Sequence, residues 1–579
     1  MLEPDRRALL VDALRPPAGM VFDRAIGTTF TLDLNALLIA PVAFALFDLE
    51  RDSRAEAEEG ALRIDPIALL EAVRRYANRI DLFCQAGEIR LPPKYQPILT
   101  QLEDSIHPVS APQGGIFHPK VWTIRFADLE RGALHHRLLC MSRNLTFDRS
   151  WDVLLQLEEE VDGQRSGSTE ELARFVESLP RMSVRRLPSE RAELIQQMAN
   201  GLRRVQFSRP ERCRELRFHP IGLGDGRPRP RIRGQRRVAV VSPFLSDSAL
   251  QDLAQGAREA LLVSRQEALD VLKPETREAY QRKFTLDPAA FVGEAGDAAG
   301  TFEHGARGHL SGLHAKLFVT EQDQEAAVFV GSANATDAAF GTNVEFLTEL
   351  RGHRRHLGVD ALLGRSGEEA RRAEQASFRD LLVPYEGPSG PVDSSPLEKA
   401  QAEMASLGHH LAAIPVTAHV AAEDDLYRLT LTSQRSLTIP LGTSVLWWPI
   451  SAGEGRALLA RDGEPLALDF GRVSLAWITS FFAFEIRRHV EGQAVTAVFL
   501  VNAELEGAPD DRRQQVLLEV LRSKRDFIRY LLLLLADFTD EAVGGLLRKL
   551  AHVKSEAEGH GGAPELPLLE SMVRTLARD

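Results

Sequence analysis

The sequence predicts an α/β protein built as two similar lobes in one chain, followed by a small β-rich domain and a C-terminal helical region. Three observations carry this expectation. An ordered set of residues (His-x-Lys, a strand, Ser-x-Asn, then an acidic residue) occurs twice, about two hundred residues apart. Around each copy, apolar runs of strand length alternate with stretches of helical period, the rhythm of a sheet covered by helices. Past Glu374 the pattern changes to short strands separated by Gly, Asp and Pro. The implied divisions are a first lobe at 1–205, an arginine-rich connector at 206–237, a second lobe at 238–390, the β-rich domain at 391–508 and the helical region at 509–579.

Residues 1–20 read as helical, and Phe30–Leu34 as a strand feeding an apolar helix from Asn35. Arg51–Gly60 is a polar break. Asp65 caps a helix over Pro66–Arg75, with proline at its first position, and Ile80–Cys84 is a buried strand. A loop containing Pro108, Pro112, Gly114 and Gly115 delivers the chain to His118. Residues 160–205 are polar and helical. Val238–Val241 then reads as a strand, Ser248–Ala260 as a helix, and Leu261–Arg265 as a strand with Ser264 and Arg265 at its end. Further on, 395–412 is helical, and Leu426–Leu431, Val445–Trp448, Val473–Phe484 and Ala494–Val501 are strands. Their tryptophans, Trp447, Trp448 and Trp477, read as core rather than as base-stacking platforms. Asp511–Asp537 and Thr539–Ala551 are helices, the first apolar nearly all round over Tyr530–Leu535.

The 579 residues are 44% apolar and 26% charged, enough to bury two to four cores. The net charge of −12 supplies no global attraction for nucleic acid, so any such site must be a local basic patch. Cys84, Cys140 and Cys213 are too few and too far apart for a disulfide framework or a metal knuckle, which fits a reducing, cytoplasmic setting. The N-terminal stretch lacks the pattern of an export signal. The longest apolar runs, Leu37–Phe47 and Tyr530–Ala536, fall short of the roughly twenty residues that span a bilayer.

The repeated set carries the chemistry. Strand alternation puts His118 beside Lys120 and His314 beside Lys316, each pair on one face. Asn144 and Asn334 stand at strand ends, where ligand-binding residues collect. Two imidazoles can share the work of phosphodiester hydrolysis: one attacks phosphorus while the other protonates the departing oxygen and later activates water. Lys120 and Lys316 supply positive charge where the phosphoryl oxygens develop negative charge. Asn144 and Asn334 fit the same oxygens, with Ser142 and Ser332 in support. Asp152 and Glu345 suit the far nitrogen of the imidazoles, fixing tautomer and raising basicity. The first copy is compressed, with eight positions from Asn144 to Asp152 against eleven from Asn334 to Glu345, and Gln156 is the alternative to Asp152. No His, Cys or carboxylate spacing suggests a metal site, and no cofactor is expected.

The connector is crowded with arginines. Arg227, Arg229, Arg231 and Arg233 are candidates for a phosphate-contacting rim, with a solvated linker as the plain alternative. Prolines at 210, 220, 228 and 230 rule out one continuous helix there.

The two His-x-Lys sets resemble those of the phospholipase D superfamily, whose members carry two such half-sites on two similar α/β lobes. The resemblance covers roughly residues 20–385. Conventional members place an Asp five residues after the lysine, whereas this sequence has Arg125 and Glu321 there. That departure, with Gln156 in reach, is similar to the tyrosyl-DNA phosphodiesterase branch. The resemblance implies a metal-independent phosphodiesterase working through a covalent phosphohistidine, with His118 as nucleophile. The duplication and extra C-terminal modules also resemble phospholipase D-like nucleases found beside helicases in bacterial restriction and anti-phage systems. That implies DNA, ahead of RNA, as substrate, a helicase or translocase partner, no membrane, and any oligomer forming through the C-terminal helices. A lipid phosphodiesterase and a non-catalytic nucleic-acid-binding subunit are the competing expectations.

Overall fold

The computed structural model describes residues 10–55, 66–148, 150–160, 169–227, 229–287, 312–364, 377–388 and 396–516. After a short helix at Leu10–Leu14, β1 (Met20–Thr29) runs through the middle of the first sheet and β2 (Leu32–Asp33) follows at once. Asp33 accepts hydrogen bonds from the backbone N–H groups of Asn35 at 2.8 Å and Ala36 at 3.4 Å, satisfying the start of the helix Leu34–Ala55. That helix extends into the expected polar break, because its buried stretch from Leu34 to Phe47 packs against Phe22, Leu82 and Trp122 and carries the polar end along. The helix Pro66–Ala77 leads to β3 (Ile80–Gln85), and then come β4 (Ile89–Arg90), β5 (Ile106–Val109), β6 (Val121–Asp128), β7 (Leu134–Met141), β8 (Ser150–Trp151) and β9 (Leu154–Glu158). The sheet order is β5-β3-β1-β6-β7-β9. Its β1, β3 and β5 are parallel, while β6, β7 and β9 continue antiparallel.

The second sheet repeats this plan. It begins with β10 (Cys213–Ile221), inside the expected connector, and continues through β11 (Arg237–Val241), β12 (Glu259–Val263), β13 (Arg282–Leu286), β15 (Leu317–Gln322), β16 (Glu325–Gly331), β17 (Glu345–His353) and β18 (Leu382–Pro384). The short β14 (Gly312–Leu313) stands apart from it and pairs with β8. The order is β10-β17-β16-β15-β11-β12-β13-β18. Its β11, β12 and β13 are parallel like β1, β3 and β5, and β15, β16 and β17 are antiparallel like β6, β7 and β9. Among the described residues, only the edge strands β10 and β18 have no counterpart.

One core holds the two sheets together. Val121, Leu138 and Cys140 from the first meet Leu317, Val328 and Val330 from the second, and helices Glu170–Met182 and Ser189–Leu202 add Phe175, Leu179 and Met198. Burial on this scale is the dominant stabilising term, at about 25 cal/mol per Å² of apolar surface. Among the described residues, two backbone pairings cross the boundary: β14 runs parallel to β8, and Phe117 bridges Val344. The backbone entering each histidine therefore lies against the backbone entering the other copy's acidic residue.

The β-rich part comprises the helix Pro396–Ala412, β19 (Val416–Glu423), β20 (Leu426–Ser436), β21 (Thr443–Pro449), β22 (Leu458–Leu459), β23 (Pro465–Val473), β24 (Phe481–Val490), β25 (Gln493–Asn502) and β26 (Glu504–Glu506). One of its two sheets, β2-β4-β25-β24-β21-β22, is completed by β2 and β4 of the first lobe. The helix lies so close over β25 that a Cβ on Gly408 would collide with the Phe499 ring. Trp447 is buried and stacks on Phe484, with ring centroids 4.5 Å apart. The expected strand Val473–Phe484 is broken instead, since β23 ends at Val473 and a 3-10 turn at Leu475–Trp477 precedes β24. A continuous apolar run conceals such a corner. The helix expected over Ser248–Ala260 ends at Ala254, and Gly256 turns the chain at φ +82°. The helices expected over Asp511–Asp537 and Thr539–Ala551 lie, beyond residue 516, outside the described residues.

Candidate active site

The two histidines leave their loops immediately before β6 and β15, and each is tied to the acidic residue of the other copy. His118 Nδ1 lies 3.0 Å from Glu345 Oε2, and His314 Nδ1 lies 2.8 Å from Asp152 Oδ1. The crossing follows from the backbone: the N–H of His118 donates to the Val344 carbonyl, and the N–H of His314 to the Trp151 carbonyl. A histidine whose Nδ1–H donates to a carboxylate keeps its Nε2 lone pair free. A narrow cleft lined by Arg143, Asn144, Thr146, Asp148, Ser150 and His314 brings residues of both copies together.

Equivalent atoms repeat around each acid. Ser142 Oγ donates to Asp152 at 2.8 Å while accepting from the Val153 N–H at 2.9 Å. Ser332 Oγ donates to Glu345 at 2.5 Å while accepting from the Phe346 N–H at 3.0 Å. Both serines are fully buried. Their hydroxyls thus hold the carboxylates in place. Lys120 Nζ donates to the His118 carbonyl at 2.8 Å and Lys316 Nζ to the His314 carbonyl at 2.6 Å, and neither side chain is exposed. Asn144 and Asn334 each keep a buried Oδ1 that has no partner among the described residues.

The electrostatics follow from burial. Desolvation lowers the pKa of His118 to about 4 and that of His314 to about 3, against the opposing pull of their carboxylates. Both imidazoles are therefore uncharged at neutral pH. Burial also brings Lys316 down to about 7 and Lys120 well below the usual lysine range, the latter helped by repulsion from Lys316. Burial pushes Asp152 upward, but the bond from His314 and the charge of Lys316 outweigh it and hold the carboxyl at about 2. Glu345 is held low in the same sense by His118 and Lys120 against its own burial.

The remaining sequence candidates fall elsewhere. Gln156 is exposed and donates to Glu158 at 2.7 Å, so Asp152 is the acid that meets His314. Arg125 pairs with Asp23 at 2.5 Å, and Glu321 with Arg237 at 2.9 Å, both toward the strand ends remote from the histidines. Arg227, Arg229, Arg231 and Arg233 are all exposed, alternating along the last stretch with buried Ile232. Arg227 pairs with Glu171, Arg233 lies 2.6 Å from Asp252, and Arg229 donates to the Gly341 carbonyl at 3.3 Å. Gly341 lies four residues before Glu345 in the segment that leads to it.

Sequence reasoning missed several neighbours. The ring of Phe30 lies 5.3 Å from that of His118 and 5.8 Å from Lys120 Nζ. His409, from the helix Pro396–Ala412, approaches Phe30 edge-on at 6.3 Å and bonds Glu88 at 2.7 Å. Ser150 Oγ donates to Asp152 at 2.7 Å, and Asn343 Nδ2 faces Glu345 Oε1 at 3.5 Å. Ser150 and Asn343 stand two residues before their acids in sequence, the one signal that could have found them.

No family model matches the chain, and no curated protein does. Among solved structures, it is similar to a mutant of yeast tyrosyl-DNA phosphodiesterase, with 12% identity and a TM-score of 0.33 over 61% of this chain and 86% of that one. It is also similar to the polyphosphate kinase of Porphyromonas gingivalis, with 12% identity and a TM-score of 0.32 over 70% of this chain and 50% of that one. Likeness at this level decides neither family nor activity, which rest on the residues themselves.

Proposed function

We propose that the chain is a metal-independent phosphodiesterase of the phospholipase D type that cleaves nucleic acid, DNA ahead of RNA. The observation that carries this reading is the pair of neutral imidazoles, each oriented by the other copy's carboxylate, beside two buried lysines. A phosphodiester anion between Lys120 and Lys316 relieves their repulsion and raises the proton affinity of the nearby imidazoles. His118 Nε2 then attacks phosphorus, forming an N–P bond while the P–O bond to the leaving group breaks. The imidazolium of His314 gives its proton to the departing oxygen. Water, deprotonated by the same imidazole, next attacks phosphorus, and the N–P bond breaks to restore His118. A half-turn of the Asn144 or Asn334 amide would present its NH₂ to a phosphoryl oxygen. A role as the nuclease of a defence system beside a helicase or translocase is part of the same proposal, supported by the arginine-bearing connector and the added β-rich part.

Covalent trapping tests the mechanism. The His314→Ala variant, given a nitrophenyl phosphodiester whose leaving group needs no proton, should retain an acid-labile phosphoryl label on the peptide carrying His118. His118→Ala should retain none there. Label on His314 in His118→Ala would reverse the assignment, and label on neither, in folded and binding-competent variants, would remove the covalent step.

A further inference from the structure

The two halves of the site correspond closely in their backbone and strand-end bonds, and the correspondence fails at one informative position. The Leu145 N–H donates to Thr29 Oγ1 at 3.0 Å, and the Ala335 N–H donates to Ser242 Oγ at 3.0 Å, making Thr29 and Ser242 equivalent strand ends. Thr29 pairs with Cys84, and Ser242 stands next to Ser264, whose hydroxyl donates to the Ser242 carbonyl at 2.6 Å. The next residues are therefore equivalent too, and they are Gln85 and Arg265. They do the same job. Gln85 Oε1 accepts from the N–H of Phe117 at 2.7 Å, while Arg265 Nε donates to the carbonyl of Leu313 at 2.8 Å. Each thereby fixes the backbone of the residue just before a histidine.

A neutral amide suffices for that job in the first half, so the second half carries a guanidinium in excess of it. Arg265 Nη2 is buried and has no partner among the described residues. A buried donor left unpaired is destabilising, more so when charged, so such a group signals a missing acceptor. The guanidinium carbon also lies 5.4 Å above the ring of Phe244, which is 48% exposed. The first half differs: Phe30 has Lys120 Nζ at 5.8 Å, but that amine is bonded to the His118 carbonyl, and the ring is flanked by His409, itself bonded to the carboxylate of Glu88. The His314 side instead sets a guanidinium with an unpartnered Nη2 against a ring that is half exposed.

We propose that Arg265 and Phe244 form the leaving-group subsite, and that it takes a nucleotide still carrying its next phosphate. This rests on the phosphodiesterase reading above. When His118 attacks, the departing oxygen must lie on the His314 side, so whatever leaves must lie against Arg265 and Phe244. A phenyl face accepts a base by stacking, and a guanidinium accepts a phosphate through paired donors. The departing piece is then a nucleotide with an anionic neighbour, which places scission within a polynucleotide rather than at a headgroup without phosphate.

The test compares the dinucleotides TpT, pTpT and TpTp, with bis(4-nitrophenyl) phosphate as a control for diesterase activity itself. Wild-type protein should favour, by about tenfold in kcat/KM over TpT, the one dinucleotide whose departing half bears the extra phosphate. Arg265→Gln, which recreates the Gln85 arrangement, should abolish that preference, and Arg265→Lys should restore part of it. Phe244→Leu, at an exposed position, should lower kcat/KM for the favoured dinucleotide more than for the nitrophenyl diester, giving a second readout should Arg265→Gln fail to fold. Equal losses on TpT and its phosphorylated forms would reduce Arg265 to a positioning residue and overturn the proposal. So would a preference for phosphate only on the retained half. Failure of wild-type protein to turn over the nitrophenyl diester would instead remove the phosphodiesterase reading underneath.

Discussion

Replacing Glu345 with Gln probes the crossed assembly at its most buried point. Glu345 Oε2 takes both the His118 Nδ1–H, at 3.0 Å, and the Ser332 hydroxyl, at 2.5 Å, while Oε1 faces Asn343 Nδ2 at 3.5 Å. Asn343 cannot reverse its amide freely, because its Oδ1 already accepts from the Ile116 N–H at 3.1 Å. A glutamine therefore has two poor choices. With its oxygen toward His118, it keeps the tautomer but loses the charge-assisted bond, about 1.5–3 kcal/mol, and sets its NH₂ against that of Asn343. With its NH₂ toward His118, it forces the imidazole proton onto Nε2 and removes the attacking lone pair, an inversion that in a Ser-His-Asp triad lowers kcat by about 10⁴. The rate should fall between about 10² and 10⁴, or roughly 3–5 kcal/mol in barrier. Single-turnover release of nitrophenolate measures it. Because Glu345 acts through His118, the double variant with His118→Ala should be no slower than His118→Ala alone. Activity of Glu345→Gln within tenfold of wild type, or full additivity with His118→Ala, would refute the crossed pairing.

Other outcomes follow from the same geometry. The folded-state pKa values of His118 and His314, about 4 and about 3, lie below the unfolded value near 6.5, so between these limits the unfolded chain binds more protons. Stability should fall as pH drops from about 6.5 toward 4, and Tm measured against pH should flatten over that window when both histidines become Asn. Cleavage of labelled DNA or RNA should survive excess EDTA, since lysines hold the phosphoryl oxygens in this mechanism; complete loss restored by Mg²⁺ would defeat it. Changing Arg227, Arg229, Arg231 and Arg233 to Gln should weaken nucleic-acid binding and flatten its log-log salt dependence by up to about one unit for each phosphate no longer neutralised. Arg229 and Arg231 should contribute more than Arg227 and Arg233, which already face Glu171 and Asp252.

Much of the site is legible in the sequence because its chemistry repeats. His-x-Lys alone is ordinary, but the same ordered set twice leaves little room for accident, and in each copy the structure bonds the lysine to the histidine's carbonyl and the serine to the acid. What cannot be read is which partner each residue chooses. The crossing of His118 to Glu345 and His314 to Asp152 depends on Phe117 lying against Val344 and Leu313 against Trp151. Those pairings span the chain and leave no local pattern. Strands with clean apolar runs, such as Val238–Val241, are plain, whereas Met20–Thr29 escapes notice because Asp23 and Arg24 interrupt its apolar pattern. Both are held by ion pairs, Arg24 with Asp81 at 2.8 Å and Asp23 with Arg125 at 2.5 Å. The arginines of the connector hide an edge strand for a similar reason: β10 buries Leu216 and Phe218 between exposed charges, and its identity is set by pairing with β17.

The crossing also sets an order of events during synthesis. His118 and its acceptor are separated by 227 residues. At about 5–20 residues per second, roughly 10–45 s pass after the first histidine is made before Glu345 is joined to the chain. Throughout that interval the nascent first lobe holds a histidine with no carboxylate to set its tautomer, and for 162 residues of it Asp152 has no His314 to orient. Neither half can begin work ahead of the other. A ribosome that stalls, or a message cut short before codon 345, leaves His118 without the carboxylate that orients it in the complete chain.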